Sequence, residues 1–220
     1  MKKEQIFKLR KKYLGNKNSG WELDNETGAL VIYSINAIYY DGKYYSMETG
    51  EAIQFEPYVS KVREHYGHKE LQVPGTGVIV YRKNEQNQTE ILLQLRKDFN
   101  LYGLPGGGIE LGQTYEECAV EELFQETAYL ANPQDMKLLK IYAGPKHITQ
   151  YPSGDIVFHS VAVYKIDRSL CTKTECQYDT NETKKIVWAT IQEIRKLLEE
   201  KLVFPNNIPI LEDIVDEYFK

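Results

Sequence analysis

The stretch Leu104-Pro105-Gly106-Gly107-Gly108 runs almost directly into a helix-forming segment crowded with glutamates, and this pairing constrains the chain more than any other feature. Three consecutive glycines open backbone conformations closed to other residues and let main chain approach a ligand or ion. The helix predicted over Thr114–Thr127 carries Glu116, Glu117, Glu121, Glu122 and Glu126. Glu122 and Glu126 are four apart, so they stand a turn from each other on one face. Like charges placed this way repel unless a cation lies between them. Hard oxygen ligands in that arrangement suit magnesium or manganese. An acidic helix on its own is more often a solvated face, and it is the glycine loop before this one that favours the cation.

The segments around the loop read as a mixed α/β unit. GTGVIVYR and EILLQLR are two apolar strands joined by the polar turn NEQNQ. Further strands are predicted at LLKIYAG, at DIVFHSVAVYKI and at IVWATI, with closing helices near Ile191–Leu202 and Pro209–Phe219. Upstream the composition changes. Ile6, Leu9, Tyr13 and Leu14 recur at helical spacing, which predicts a short packing helix. GALVIYSINAIYY, the turn Asp41-Gly42 and KYYSM predict a tyrosine-rich β-hairpin. PYVSKVREHY reads as a helix with proline in its first turn, ended by Gly67. The boundary between the two units is placed at residues 70/71.

Residues 107–129 resemble the Nudix box of the Nudix hydrolase family, G-x5-E-x7-R-E-U-x-E-E-x-G-U with U apolar. Gly107, Glu122, Leu123 and Glu126 match it, and Tyr129 takes the last apolar place. Four positions depart: the first Glu is Gln113, the Arg is Glu121, one Glu of the pair is Gln125, and the closing Gly is Ala128. The flanks VPGTGVIVY, YGLPGGGIELG, QYPSGDIVFHSVAVY and TNETKKIVWATIQEI resemble the family in the right order, so the likeness covers residues 71–220. It implies an α+β fold: a Nudix-type α/β/α sandwich with a mixed sheet, here carrying a small N-terminal α/β extension over residues 1–70.

The resemblance also implies chemistry. The family's glutamates hold divalent cations, Mg2+ or Mn2+, that bridge a diphosphate for attack by water. Carried over, Glu122, Glu126, Gln125 and the Gly106 carbonyl are the metal ligands expected here. Glu182 is a further ligand or the general base, and Asp155 is a weaker candidate for that acid. Arg96, Gly107 and Gly108 are the substrate-binding candidates. Gln113 and Glu121 replace a carboxylate–arginine pair, and an amide donating to a carboxylate would keep that link with its polarity reversed. The expected activity is a metal-dependent pyrophosphohydrolase acting on a nucleoside diphosphate linked to another moiety. The alternative is a catalytically impaired fold that binds a nucleotide or a partner.

Charge and cysteine content narrow the classes further. Lys and Arg total 27 against 32 Asp and Glu, a net charge of −5, which disfavours nucleic acid as a partner. No apolar run is long enough to span a bilayer, and the basic start has no signal-type apolar core, so a cytoplasmic location is expected. Cys118, Cys171 and Cys176 are too few for a disulfide scaffold. The dense tyrosines, Tyr33, Tyr39, Tyr40, Tyr44 and Tyr45, read chiefly as half-buried sheet, with base stacking or a homodimer surface as the other readings.

Overall fold

The computed structural model describes residues 1–13, 21–33, 36–54, 57–151, 153–175 and 178–218. Leu14 and Cys176 lie outside them. The N-terminal helix α1 (Lys3–Tyr13) buries Ile6, Leu9 and Tyr13, one face at helical spacing. That face packs on a five-stranded antiparallel meander: β1 (Trp21–Asp24), β2 (Ala29–Ile32), β3 (Ala37–Tyr40), β4 (Lys43–Ser46) and β5 (Ala52–Ile53). The expected hairpin is therefore the middle of a larger sheet. Its outer strands are four and two residues long, too short to show periodicity in the sequence. Asp41-Gly42 makes the predicted turn, with φ of 51° and 71°. Helix α2 (Tyr58–Tyr66) follows Pro57 and ends at Gly67, whose φ is 72°.

A second, mixed sheet begins at Leu71. Its order is β10 (Lys137–Tyr142), β12 (Ile156–Asp167), β6 (Leu71–Lys83), β7 (Thr89–Arg96) and β14 (Thr183–Thr190). The long central pair β12 and β6 is parallel, in register from Val157↔Leu71 to Asp167↔Tyr81, and the other neighbours are antiparallel. The short strands β8 (Tyr102–Gly103) and β11 (Ile148–Gln150) extend it, while β9 (Tyr129–Leu130) and β13 (Thr172–Lys173) pair apart from it.

Alternation along the strands sends side chains to two faces. Val78, Val80 and Leu92 meet Ala119, Val120 and Leu123 of helix α3 (Tyr115–Thr127). Ile79, Ile91 and Leu93 meet the opposite layer, with Ile194 of α4 (Ile191–Glu199) and Ile210 and Leu211 of α5 (Ile208–Asp213). The result is an α/β/α sandwich. Each fully buried Leu or Ile in these layers contributes about 1.5–3 kcal/mol. α4 stops at Glu199, short of the expected Leu202. α5 starts at Ile208 and continues as a wider turn over Ile214–Tyr218.

Two sets of contacts tie the N-terminal unit to the sandwich, one from its sheet and one from α2. Leu30, Ile32 and Tyr39 of the meander form one buried group with Phe124 of α3. The Arg63 guanidinium on α2 meets the Asp155 carboxylate at 3.0 Å and donates to the Ile156 carbonyl at 3.1 Å.

Candidate active site

Thr114 starts α3 with a reciprocal capping box: its hydroxyl accepts from the Glu117 N–H, and the Glu117 carboxylate accepts from the Thr114 N–H. The glycine loop lies along β6, held by Thr76 N–H to Gly107 O (2.9 Å) and Val78 N–H to Pro105 O (2.8 Å). Backbone contact requires glycine at 106, whereas a side chain at 107 would displace the Glu122 carboxylate. A Cβ on Gly107 would sit 2.3 Å from the Glu122 carboxylate, and one on Gly106 would sit 2.2 Å from the Thr76 carbonyl. The loop thus presses main chain directly onto the carboxylates of the helix.

Glu126 is buried and accepts from the Gly106 N–H at 2.8 Å. The Arg96 guanidinium stands 4.0 Å from its other oxygen, shares itself with Asp98 at 2.8 Å, and lies over the Phe204 ring. Glu122 has neither a hydrogen bond nor an ion pair among the described residues. Burial pushes its carboxyl well above the usual carboxylate range, and the nearby Glu126 and Glu182 push it the same way. Burial also raises Glu126, against the opposing pull of Arg96. Glu182 is raised by burial and pulled back by Arg96. Arg96 opposes these rises at all three carboxyl groups.

That donor chemistry fits a hard divalent cation. Among the described residues no three His, Cys, Asp or Glu side chains form a ready-made cage. Magnesium, however, is commonly held by one or two carboxylates, with waters and substrate phosphates completing its shell.

The altered box positions are connected. Gln113 Nε2 donates to Glu121 Oε2 at 2.5 Å, and Gln125 Nε2 donates to Glu121 Oε1 at 2.8 Å. The reversed-polarity link expected from the Gln113 and Glu121 pair is present. The Gln125 amide nitrogen also donates to the Tyr44 hydroxyl at 2.8 Å, so its amide oxygen is the only atom it can offer to a metal. Glu121 is 8% exposed, and burial raises its pKa to about 7 despite the two amide donors. Ala128 ends the helix in the left-handed conformation, with φ 57° and ψ 22°.

Glu122, Glu126, Glu182, Gln125, Arg96 and Gly106 to Gly108 all border one cavity of about 1060 Å³. Its floor is the β6–β12 pair, including Gly75, Gly77 and His159, and Phe204 and Asn206 close one side. Tyr39, Tyr44, Val59 and Arg63 of the N-terminal unit border it from above. Asp155 also lines it but is bound to Arg63, His68 and Ser153, away from the glutamates.

Sequence reasoning missed Gln94 and Asn207, and it read Tyr39 and Tyr44 chiefly as half-buried sheet although both line the cavity. Gln94 is fully buried, accepts from Thr183 Oγ1 at 2.6 Å and supports Glu126. The signal was available, because a glutamine inside the apolar run ILLQL needs a buried partner. Asn207 accepts from the Leu104 N–H at 2.7 Å and so fixes the start of the glycine loop. It lies 103 residues downstream, and spacing gives no hint of it.

Fold and cavity together define an α/β/α sandwich with a cavity bordered by glutamates and a glycine loop. The chain belongs to the Nudix family: the family model of the NUDIX domain matches residues 71–213. Over 76 residues it is 40% identical to a Bacillus subtilis (strain 168) protein described as "Putative 8-oxo-dGTP diphosphatase". That stretch is 34% of this chain and 47% of the relative, so about half of the relative's length is spanned. Among solved structures, the NUDIX domain of Shewanella oneidensis NrtR, complexed with ADP ribose, aligns with a TM-score of 0.50 at 15% identity, over 69% of this chain and 94% of that one. A bifunctional NMN adenylyltransferase/ADP ribose pyrophosphatase from Francisella tularensis, complexed with AMP and a Mn ion, aligns at 0.50 and 17%, over 71% and 45%. At those identities the two structures establish the fold alone.

Proposed function

We propose that the chain is a divalent-metal-dependent hydrolase that cleaves the diphosphate of a nucleoside diphosphate linked to a second group. The observation that carries this is the Glu122 carboxylate. It lies at the cavity beside Glu126, pressed against the Gly107 backbone and without a hydrogen bond among the described residues. A structural carboxylate so placed would be neutralised by a partner. One kept free beside a second carboxylate suits a cation that arrives with substrate.

In this reading Glu122 and Glu126 hold Mg2+ or Mn2+, with the Gly106 carbonyl, Glu182 and the Gln125 amide oxygen as further donors. The bound cation neutralises diphosphate charge and makes water a stronger nucleophile. Arg96, stiffened by Asp98 and Phe204, meets the phosphate charge from the side of Glu126. Gly107 and Gly108 let the substrate approach the backbone. Glu182, whose pKa is raised by burial, is suited to accept a proton from water. The nucleotide-type names of the relative and of the structural neighbours support the substrate class.

The test is a coupled assay on a panel of nucleoside-diphosphate compounds capped at both ends, with Mg2+ and Mn2+ in parallel: cleavage leaves two phosphomonoesters, and added alkaline phosphatase releases inorganic phosphate from these products but not from the capped substrate. Turnover is expected only with metal, and Glu126→Gln is expected to lower kcat by about 100-fold or more, on the scale of losing one electrostatic contact in a dry site. Nucleotide binding that survives Glu126→Gln, with no turnover on any compound, would favour the binding-module reading instead.

A further inference from the structure

Three departures from the box, Gln113, Glu121 and Gln125, form one hydrogen-bonded chain, and it ends on Tyr44 of the N-terminal sheet. Tyr44 packs edge-on against Tyr39, with ring centroids 5.1 Å apart and planes at 60°. Phe124, on the same helix as Glu122 and Glu126, is buried against Leu30, Ile32 and Tyr39. The helix that presents the glutamates is therefore also the helix that seats the sheet, and Tyr39 is where the two meet.

Tyr39 is 5% exposed. It lines the cavity, yet its buried hydroxyl has no hydrogen-bond partner among the described residues. A buried phenol left unpaired is costly. Burial first, and the nearby Asp179, Glu182 and Glu122 after it, push its pKa upward, so it stays a neutral O–H donor. A donor held without a partner, beside the carboxylates expected to bring in a cation, is placed for an oxygen that arrives with that cation.

We propose that the N-terminal sheet is the second wall of the active site, docked by Gln113, Glu121 and Gln125, and that the Tyr39 hydroxyl donates a hydrogen bond to a non-bridging oxygen of the diphosphate. The identity of that oxygen rests on the hydrolase reading above. The altered box then has a physical purpose. Neutral amides at 113 and 125 satisfy a buried Glu121 from both sides, and the second amide carries the link on to Tyr44. A glutamate at position 125 would instead face Glu121 one helical turn away with like charge.

The test uses Tyr39→Phe, which keeps the ring and its packing. Two readouts run in parallel: kcat/KM on the best substrate of the panel, and calorimetric binding of imidodiphosphate with Mg2+. Both are expected to weaken about tenfold or more, as for a lost hydrogen bond to a charged oxygen, at a melting temperature no lower than that of the wild type. No change in either overturns the contact. If the wild-type chain turns over nothing, the hydrolase reading fails while the imidodiphosphate measurement still decides the contact. A wild-type chain that binds no imidodiphosphate overturns it. For the docking, the family-like triple variant Gln113→Glu, Glu121→Arg, Gln125→Glu is compared with Tyr44→Phe. Faster amide exchange over residues 37–46 in both is expected. Unchanged exchange in both, or a triple variant more active than the wild type, overturns the docking role.

Discussion

Glu121 is a carboxylate on the buried side of its helix, with two amide donors as its hydrogen-bond partners. Removing one leaves a buried acceptor half satisfied, which costs about 1–2 kcal/mol. Gln113→Ala should therefore lower the melting temperature by roughly 2–8 °C in a chain of this size. Differential scanning calorimetry measures it directly, and an unchanged melting point would mean that the Gln113 contact contributes nothing. Asp24 is a second buried carboxylate, at 1% exposure. It accepts from Lys12 Nζ at 2.5 Å, the Tyr13 hydroxyl at 2.9 Å and the Thr27 N–H at 2.9 Å. Burial pushes its pKa up, but these donors outweigh burial and hold it at about 2, below the ordinary 3.8. Because the folded value is the lower one, Asp24 stabilises the fold fully above about pH 4 and loses that contribution as pH falls toward 2. Asp24→Asn should cost about 2 kcal/mol at pH 7 and flatten the acid limb of the stability curve between pH 4 and 2. Urea melts across that range read both effects.

Helix α3 is the element whose ends were most legible. The sequence predicts a helix over Thr114–Thr127, and the observed helix spans Tyr115–Thr127 with Thr114 as its cap. Its C-terminus was legible as a departure, since Ala128 stands where glycine is usual. Alanine in the left-handed region costs about 1 kcal/mol relative to glycine. Against this, Ala128 is 1% exposed, and a buried methyl contributes about 0.8 kcal/mol. The two effects nearly cancel. Ala128→Gly is expected to change stability by less than about 0.5 kcal/mol, and a larger gain would show that the methyl packs poorly. The strands β6, β7, β12 and β14 announced themselves as long apolar runs bounded by turns. The first and last strands of the meander did not: WELD mixes two acids into four residues, and β5 is only two residues long. Their pairing is set by neighbours in space, which a single sequence does not display.

At the scale of the whole molecule the site divides in the same way. Everything contributed by the loop and α3 lies within two dozen residues, so spacing paired Glu122 with Glu126, and the resemblance to the box added Gly106 and Gln125. Tyr39, Tyr44 and Arg63 reach the cavity from the N-terminal unit, and only tertiary packing could place them there. The sequence boundary at residues 70/71 thus separates two sheets but runs through one cavity. Phe124 measures how strongly the units depend on each other. It is 3% exposed, and its buried cluster partners, Leu30, Ile32 and Tyr39, all precede the boundary. In the full chain Phe124→Ser should cost roughly 3–5 kcal/mol, as for other large-to-small core changes. In a chain of residues 71–220 that ring has lost its cover, so the same substitution should cost less than about 0.5 kcal/mol, the usual range for a surface position. Paired denaturant melts of the four proteins give the comparison. An equal cost in both backgrounds would mean that Phe124 is buried by the sandwich itself, and that the N-terminal sheet rests on the site without being part of its core.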